Sequence, residues 1–134
     1  MKWVLFLYTH NSARSQMAEG LLRPLGNGQF EVFSVGTQAT QVLPKAIAVI
    51  AGLGIDISKQ ESKTFDRFLT EPFDEVVTVC DQANESCPSF PHAGNRRHWS
   101  IADPTGVTGT EHERLAAFRS VRDALRERIE TELL

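Results

Sequence analysis

The sequence predicts an α/β fold in which a four-stranded, mostly parallel sheet forms the middle of three layers, with helices on both faces. Apolar runs of strand length alternate with segments of helical period along the 134 residues of the chain. Such alternation implies right-handed crossovers between parallel strands. No repeat, low-complexity tract or linker interrupts the alternation, so we expect a single domain spanning residues 1–134.

The first half of the chain predicts two strand-helix units. Residues 3–8 are an unbroken apolar run typical of a buried strand, and a polar loop follows them. Apolar residues then recur at helical spacing, at Met17, Ala18, Leu21, Leu22 and Leu25. Pro24 and a turn at residues 26–28 that needs positive φ predict the end of this helix. Residues 30–35 alternate as a second strand, and residues 44–53 have the period of a second helix.

The second half predicts two more strands and a closing helix. Residues 64–69 fit a short helix, and residues 75–80 have the pattern of a buried strand. A loop separates them from a shorter strand at residues 97–101. Residues 111–133 are the longest periodic segment, with one apolar face and one charged face.

Composition restricts the classes of function. The 14 Lys and Arg residues against 17 Asp and Glu give a net charge of -3, which argues against general nucleic-acid binding. No apolar stretch approaches the roughly 18 to 20 residues of a membrane span, so we expect a cytoplasmic protein without membrane contact. The charged closing helix predicts a monomer. The two cysteines, in a chain without a secretion signal, indicate redox, catalytic or metal chemistry rather than a disulfide scaffold.

The loop after the first strand has features of an oxyanion site. In sheets of this kind ligands bind at the carboxyl ends of strands, where the loops after Tyr8, Cys80 and Ile101 should converge. The segment 8–15 runs from a strand into a helix N-terminus, whose amide groups favour an anion. The guanidinium of Arg14 can hold two oxygens of phosphate, arsenate or sulfate at once. From composition alone, an ordinary polar loop whose Ser and Asn cap the helix is the favoured explanation.

Spacing and motifs add a family resemblance. Tyr8, five intervening residues, Arg14-Ser15 and the apolar helix resemble the Cys-x5-Arg-Ser signature of low-molecular-weight tyrosine phosphatases and, more closely, of thioredoxin-coupled arsenate reductases. Further matches follow in the family's order over nearly the whole chain, at Val-Thr-Val-Cys80, Cys87-Pro88, His98-Trp99, Asp103-Pro104 and the closing helix. The resemblance implies the low-molecular-weight phosphatase fold and reduction of arsenate to arsenite through a cysteine relay.

The resemblance also implies roles for the residues of the loop. The oxyanion would lie among Thr9, His10, Asn11, Ser12, Ala13 and Arg14. The hydroxyl of Ser15 would help lower the pKa of the nucleophilic thiol, whose position is occupied here by Tyr8. A phenol has an ordinary pKa near 10 and cannot form a disulfide, so we expect the chain as written to be inactive.

Three explanations of Tyr8 compete: an engineered substitution, a natural pseudoenzyme, or a tyrosine that completes a strand of an unrelated protein. The intact flanking motif excludes the third explanation and favours an engineered change in an active enzyme. A phosphatase of the same fold and an oxyanion-binding pseudoenzyme stay open as alternative functions.

Cys80 and Cys87 match the relay cysteines of the reductases. There the first cysteine resolves the arsenic adduct and releases arsenite, and the second carries the disulfide to the surface for thioredoxin. A polar loop between two thiols suits successive thiol-disulfide exchange. Together with His92 and His98 they could supply four zinc ligands, but intervals of seven, five and six residues fit a structural zinc site poorly. We therefore expect no metal and no cofactor.

Asp103-Pro104 matches the general acid of both the phosphatase and the reductase families, although Asp-Pro also starts ordinary turns. Residues 105–107 lack the aromatic side chains that hold a phosphotyrosine ring in the eukaryotic phosphatases, which favours the reductase. Asn11, Glu19 and Ser34 match potassium ligands of some arsenate reductases. Because Lys63 occupies a further ligand position and could pair with Glu19 or Glu61, we predict no potassium requirement.

Overall fold

The computed structural model describes residues 2–10, 13–38, 41–63, 72–79 and 93–134. Four strands occur in this part of the chain: β1 at Lys2–His10, β2 at Phe30–Gln38, β3 at Phe73–Thr78 and β4 at Ala93–His98. Three α-helices accompany them, namely α1 at Arg14–Leu25, α2 at Pro44–Ala51 and α3 at Glu111–Glu132, with a 3-10 turn at Pro104–Gly106. No helix of the described residues is long and apolar enough to cross a membrane.

The four strands form one sheet in the order β2-β1-β3-β4, and every described pairing is parallel. β1 is one of the two inner strands, where Phe6 pairs with Ser34 of β2 on one side and with Val77 of β3 on the other. The predicted parallel sheet is therefore confirmed. Residues 4–8 of β1 are buried on both faces of the sheet, as the unbroken apolar run requires.

Several predicted boundaries were wrong for local reasons. β2 extends to Gln38 because its backbone stays paired with β1 as far as His10. The fourth strand occupies residues 93–98 instead of 97–101, since this edge strand is polar and exposed and gives no apolar pattern. The apolar signal came from Trp99 and Ile101, which are buried just beyond the strand. The predicted helix at residues 64–69 lies outside the described residues.

Other local features agree with the sequence. Pro24 is accommodated in the last turn of α1, and Asn27 and Gly28 adopt the positive φ values of 50° and 79° expected of the turn. α3 starts with a capping box, in which Thr110 and Glu113 bond each other's backbone amides. The turn thus sets the end of α1, and the capping box sets the start of α3.

Two apolar clusters cover the two faces of the sheet. The larger cluster joins Val4 and Phe6 of β1 to buried residues of all three described helices. The smaller cluster contains residues of β1, β2 and β3, namely Leu5, Leu7, Val35, Phe73 and Val76. The alternation of β1 between the two clusters gives each face of the sheet its own core.

A close approach between α1 and the segment at residues 55–63 depends on Gly20. A Cβ built on this glycine would overlap Cγ2 of Ile57, which is fully buried, and would lie 3.3 Å from Oε1 of Gln60. Gly in a helix normally costs about 1 kcal/mol relative to Ala. Here the contact with Ile57 explains why glycine and not the larger alanine occupies position 20.

We expect Gly20→Ala to lower the free energy of unfolding by about 1–2 kcal/mol, because overpacking against Ile57 outweighs the gain in helix propensity. Urea unfolding followed by tryptophan fluorescence measures the change. Gly106→Ala is the matched control, since a Cβ there meets nothing within 4 Å. Equal stability of the two variants would contradict the steric argument.

An ion-pair network ties the end of α3 to the edge strand. Arg97 donates to the buried carboxylate of Glu75 at 2.9 Å and lies 3.4 Å from Oε1 of Glu132. Trp99 donates from its indole nitrogen to the same oxygen of Glu132 at 3.1 Å. Hydrogen bonds from Arg128 and Trp99 hold the pKa of Glu132 below its ordinary value of 4.5, against the opposing effect of burial.

This network predicts a pH-dependent stability. A carboxyl group whose pKa is lower in the folded state stabilises the protein above its unfolded pKa, and this contribution is lost as the pH falls through the folded pKa. We expect Glu132→Gln to cost about 1 kcal/mol at pH 7 and progressively less below pH 4.5. Unfolding curves at a series of pH values provide the test, with the surface-paired Glu130→Gln as control. A loss that is independent of pH would contradict this account.

Candidate active site

The site is built where β1 ends and α1 begins. Tyr8 lies near the carboxyl end of β1, paired with Gly36 of β2, and Arg14 is the first residue of α1. The N-cap residue of α1 is Ala13, which has no side chain that could bond the first amide groups. The partial positive charge at the start of a helix favours an anion.

Arg14 connects this helix start with the segment that follows β4. Its side chain is only 1% exposed, and Nη1 donates to the carbonyl oxygen of Ile101 at 2.7 Å. Nη2 lies 3.9 Å from Oδ2 of Asp103. The structure therefore brings together two of the loops expected to converge, and a bidentate cation lies beside a carboxylate.

The Tyr8 ring is directed at the same guanidinium. The Cζ atom of Arg14 lies 4.0 Å from the ring centroid, well within the range of a cation-π contact. The tyrosine is 8% exposed and belongs to the larger apolar cluster. A buried aromatic ring is thus packed on the cation near the carboxyl end of β1.

Asp103 makes the turn contacts that Asp-Pro predicts, and its general-acid role stays a prediction. Its Oδ1 accepts hydrogen bonds from the amide and hydroxyl of Thr105, at 2.9 and 2.7 Å, and so caps the 3-10 turn. Its other carboxylate oxygen faces Arg14, and the side chain is 39% exposed. The turn contacts therefore orient a solvent-accessible carboxyl group toward the guanidinium of Arg14.

A glutamine pair that the sequence analysis missed supports the helix start from behind. Gln16 is fully buried and donates to the carbonyl of Glu61 at 2.7 Å. The side chain of Gln60 donates to both the carbonyl and the side-chain oxygen of Gln16, at 3.0 and 2.7 Å. The sequence signal for this pair is the amide side chain of Gln16, which directly follows Ser15. Ser15 is also fully buried.

Glu19 forms the centre of a charged cluster one turn further along α1. This carboxylate is 2% exposed, accepts a hydrogen bond from Ser34 at 2.7 Å and pairs with Arg23 at 2.7 Å. The ammonium of Lys63 lies 3.8 Å from it and donates to the backbone carbonyl of Glu61 at 2.8 Å. Lys63 thus pairs with the Glu19 carboxylate, as the sequence suggested, and meets Glu61 through its backbone.

No group of three or more His, Cys, Asp or Glu side chains in the described part of the chain could hold a metal ion. Of the four zinc candidates only His98 is described, and its Nδ1 lies 2.7 Å from the hydroxyl of Thr78. The independence from potassium stays a prediction.

Several predicted site residues lie outside the described residues, namely Asn11, Ser12, Cys80, Cys87 and His92. Thr9 and His10 are described as backbone of β1 only. Val79, the residue before Cys80, is buried, and its amide donates to the carbonyl of Leu7 at 3.1 Å. Val79 therefore lies at the same end of the sheet as Tyr8.

Comparison with known proteins agrees with this geometry. The family profile described as low molecular weight phosphotyrosine protein phosphatase matches residues 3–133. An arsenate reductase of Halalkalibacterium halodurans is 43% identical over 130 residues, which cover 97% of this chain and 94% of the relative.

Solved structures give the same result. An arsenate reductase in a phosphate-binding state superposes with a TM-score of 0.83 at 37% identity, and an arsenate reductase in an oxidised state with a TM-score of 0.81 at 37% identity. Each comparison covers 98% of this chain and 95% of the other. The chain therefore belongs to the low molecular weight phosphotyrosine protein phosphatase family, alongside its arsenate reductases.

Proposed function

We propose that this chain has the machinery of an arsenate reductase and binds arsenate, or a similar tetrahedral oxyanion, at the loop from Tyr8 to Ser15. Cys80 and Cys87 form its redox relay, thioredoxin regenerates the relay, and Tyr8 prevents turnover in the chain as written. The observation that carries the proposal is the buried Arg14 at the start of α1, fixed to Ile101 and 3.9 Å from Asp103. The arsenate reductases among its relatives supply the substrate.

The chemistry of Arg14 supports oxyanion binding. Its bond to the Ile101 carbonyl fixes the plane of the guanidinium, so that its other N–H groups have defined directions. A tetrahedral anion placed between this plane and the start of α1 would accept charge-assisted hydrogen bonds from both. A fixed donor array of this kind loses little entropy when the anion binds.

The reductase reaction needs three thiols, of which this chain has two. With a thiol at position 8, its thiolate would attack arsenic, and one arsenate oxygen would leave as water with a proton from Asp103. The Cys80 thiolate would then attack the sulfur of that adduct. A disulfide forms, and the electron pair of the broken sulfur-arsenic bond stays on arsenic, which leaves as arsenite.

Regeneration follows by thiol-disulfide exchange. The Cys87 thiolate would attack the sulfur of Cys80, which frees the thiol at position 8 and leaves a disulfide between Cys80 and Cys87. The dithiol of thioredoxin would reduce that disulfide and become oxidised itself. The Tyr8 phenol cannot enter this sequence, because its oxygen forms no disulfide with Cys80. Inactivity of the chain as written follows from this.

Two alternatives rest on specific observations. The family profile and the carboxyl group of Asp103 beside Arg14 are compatible with phosphate-ester hydrolysis, which would leave Cys80 and Cys87 without a role. The Tyr8 ring on Arg14 is compatible with a protein that binds oxyanions without transforming them. Both alternatives use the same anion site and differ from the reductase in what happens after binding.

We expect Tyr8→Cys to gain arsenate-dependent NADPH consumption in an assay coupled through thioredoxin and its reductase, whereas the unaltered chain stays at background. The substitution restores the sulfur nucleophile beside an otherwise intact site. Tyr8→Ser is the matched control, because it removes the ring without adding a thiol. Adding Cys80→Ser to Tyr8→Cys should abolish the gain.

Other results of this assay would contradict the proposal. Hydrolysis of p-nitrophenyl phosphate by Tyr8→Cys without arsenate reduction would favour the phosphatase. Silence in both assays, together with phosphate binding in calorimetry, would favour the oxyanion-binding protein. Activity that requires added potassium would contradict the predicted role of the Lys63 ammonium beside Glu19.

We expect Arg14→Lys, introduced into the Tyr8→Cys protein, to lower kcat/KM for arsenate about 100-fold. A lysine supplies a point charge but cannot form two parallel hydrogen bonds to the anion while bonding Ile101. Steady-state kinetics measure the loss, and circular dichroism verifies that the variant is folded. A change of less than about threefold would argue against Arg14 as the oxyanion ligand.

A further inference from the structure

We propose that the Tyr8 ring is an internal competitor for the guanidinium of Arg14, so that an oxyanion binds this chain only by displacing the ring. The inference rests on the proposed function, in which Arg14 is the oxyanion ligand. The inference adds a closed state of the site, in which the Tyr8 ring contacts Arg14. It predicts that the ring moves whenever an anion binds.

The contact distance excludes an atom between ring and cation. The ring centroid lies 4.0 Å from Cζ of Arg14, which is the separation of two groups in van der Waals contact. The face of the guanidinium toward Tyr8 is therefore filled. An anion that approaches from this side must first move the ring away.

Two nitrogens of the guanidinium are directed at other groups of the chain. Nη1 donates to the buried Ile101, and Nη2 is turned toward the carboxylate of Asp103. With all these contacts made, the Arg14 side chain is only 1% exposed. Almost none of its surface is accessible to a dissolved anion in this arrangement, although the anion needs direct N–H contacts for affinity.

Displacing the ring has a free-energy cost that weakens binding. Tyr8 is 8% exposed and belongs to the larger apolar cluster, so its movement brings aromatic surface into water and breaks the cation-π contact. When the binding-competent state is only fractionally populated, the apparent affinity falls by that fraction. Removing the ring should therefore tighten anion binding, although it also removes a side chain that could contact the anion.

The composition provides a direct probe, because Tyr8 is the only tyrosine of the chain. Biosynthetic incorporation of ring-labelled tyrosine gives the NMR spectrum of one residue. We expect titration of the unaltered protein with inorganic phosphate to shift this ring signal, with the same midpoint as the binding isotherm from calorimetry.

Variants separate the ring from the hydroxyl. We expect Tyr8→Ala to bind phosphate about tenfold more tightly than the unaltered chain. The anion then no longer has to break a desolvated cation-π contact before it binds. Tyr8→Phe retains the ring and should bind within about threefold of the unaltered chain. Tyr8→Leu fills part of the apolar space without a π face, so it should also bind more tightly if the alanine variant folds poorly.

The outcomes distinguish the two proposals. Equal phosphate affinity of the unaltered chain, Tyr8→Phe and Tyr8→Leu, with an unmoved tyrosine signal, would overturn the competition and leave oxyanion binding intact. No phosphate or arsenate binding by any folded variant, including Tyr8→Leu, would overturn the oxyanion site and the competition together.

Discussion

The hydrogen bond from Arg14 to the carbonyl of Ile101 holds the candidate site together. It joins residues 87 positions apart and connects the start of α1 with the segment that follows the edge strand β4. Through it, the orientation of the guanidinium, the approach of Asp103 and the surface presented to Tyr8 are fixed by one buried contact. A buried guanidinium must have its N–H groups bonded, so this contact also satisfies a requirement of folding.

Behind this contact the protein uses polar residues that are unusual in a core. Glu19 is buried but has a hydroxyl and two cationic groups within 4 Å, which offset the cost of removing its charge from water. Gln16 is similarly satisfied by Gln60 and by the backbone of Glu61. Apart from the Glu19–Arg23 pair, which lies within α1, these contacts attach α1 to the segment at residues 55–63 or to β2. The helix that carries Arg14 is therefore supported along its length.

Elements with a strong apolar pattern were predicted well from the sequence, and elements without one were not. The bounds of β1 and α3 and the end of α1 were predicted to within two residues, because an unbroken apolar run marks the doubly buried strand and an apolar period of 3.6 marks the helices. The edge strand β4 was misplaced, since backbone pairing with β3 and the bond from Arg97 to Glu75 hold it without apolar side chains. The Arg14–Asp103 approach could be anticipated from the shared sheet edge. The Gln16–Gln60 pair could not, because no periodicity encodes a side-chain contact between α1 and a loop.

The close fit of Gly20 against Ile57 also bears on how the site can respond to a ligand. Because α1 is in contact with its neighbours at this glycine, at Gln16 and at Glu19, it cannot slide or rotate without breaking several buried contacts at once. The helix thus stays in place when an anion binds, and the group that moves is the aromatic side chain of Tyr8. In the proposed competition, opening of the site is then a rotamer change of Tyr8 on a nearly immobile backbone.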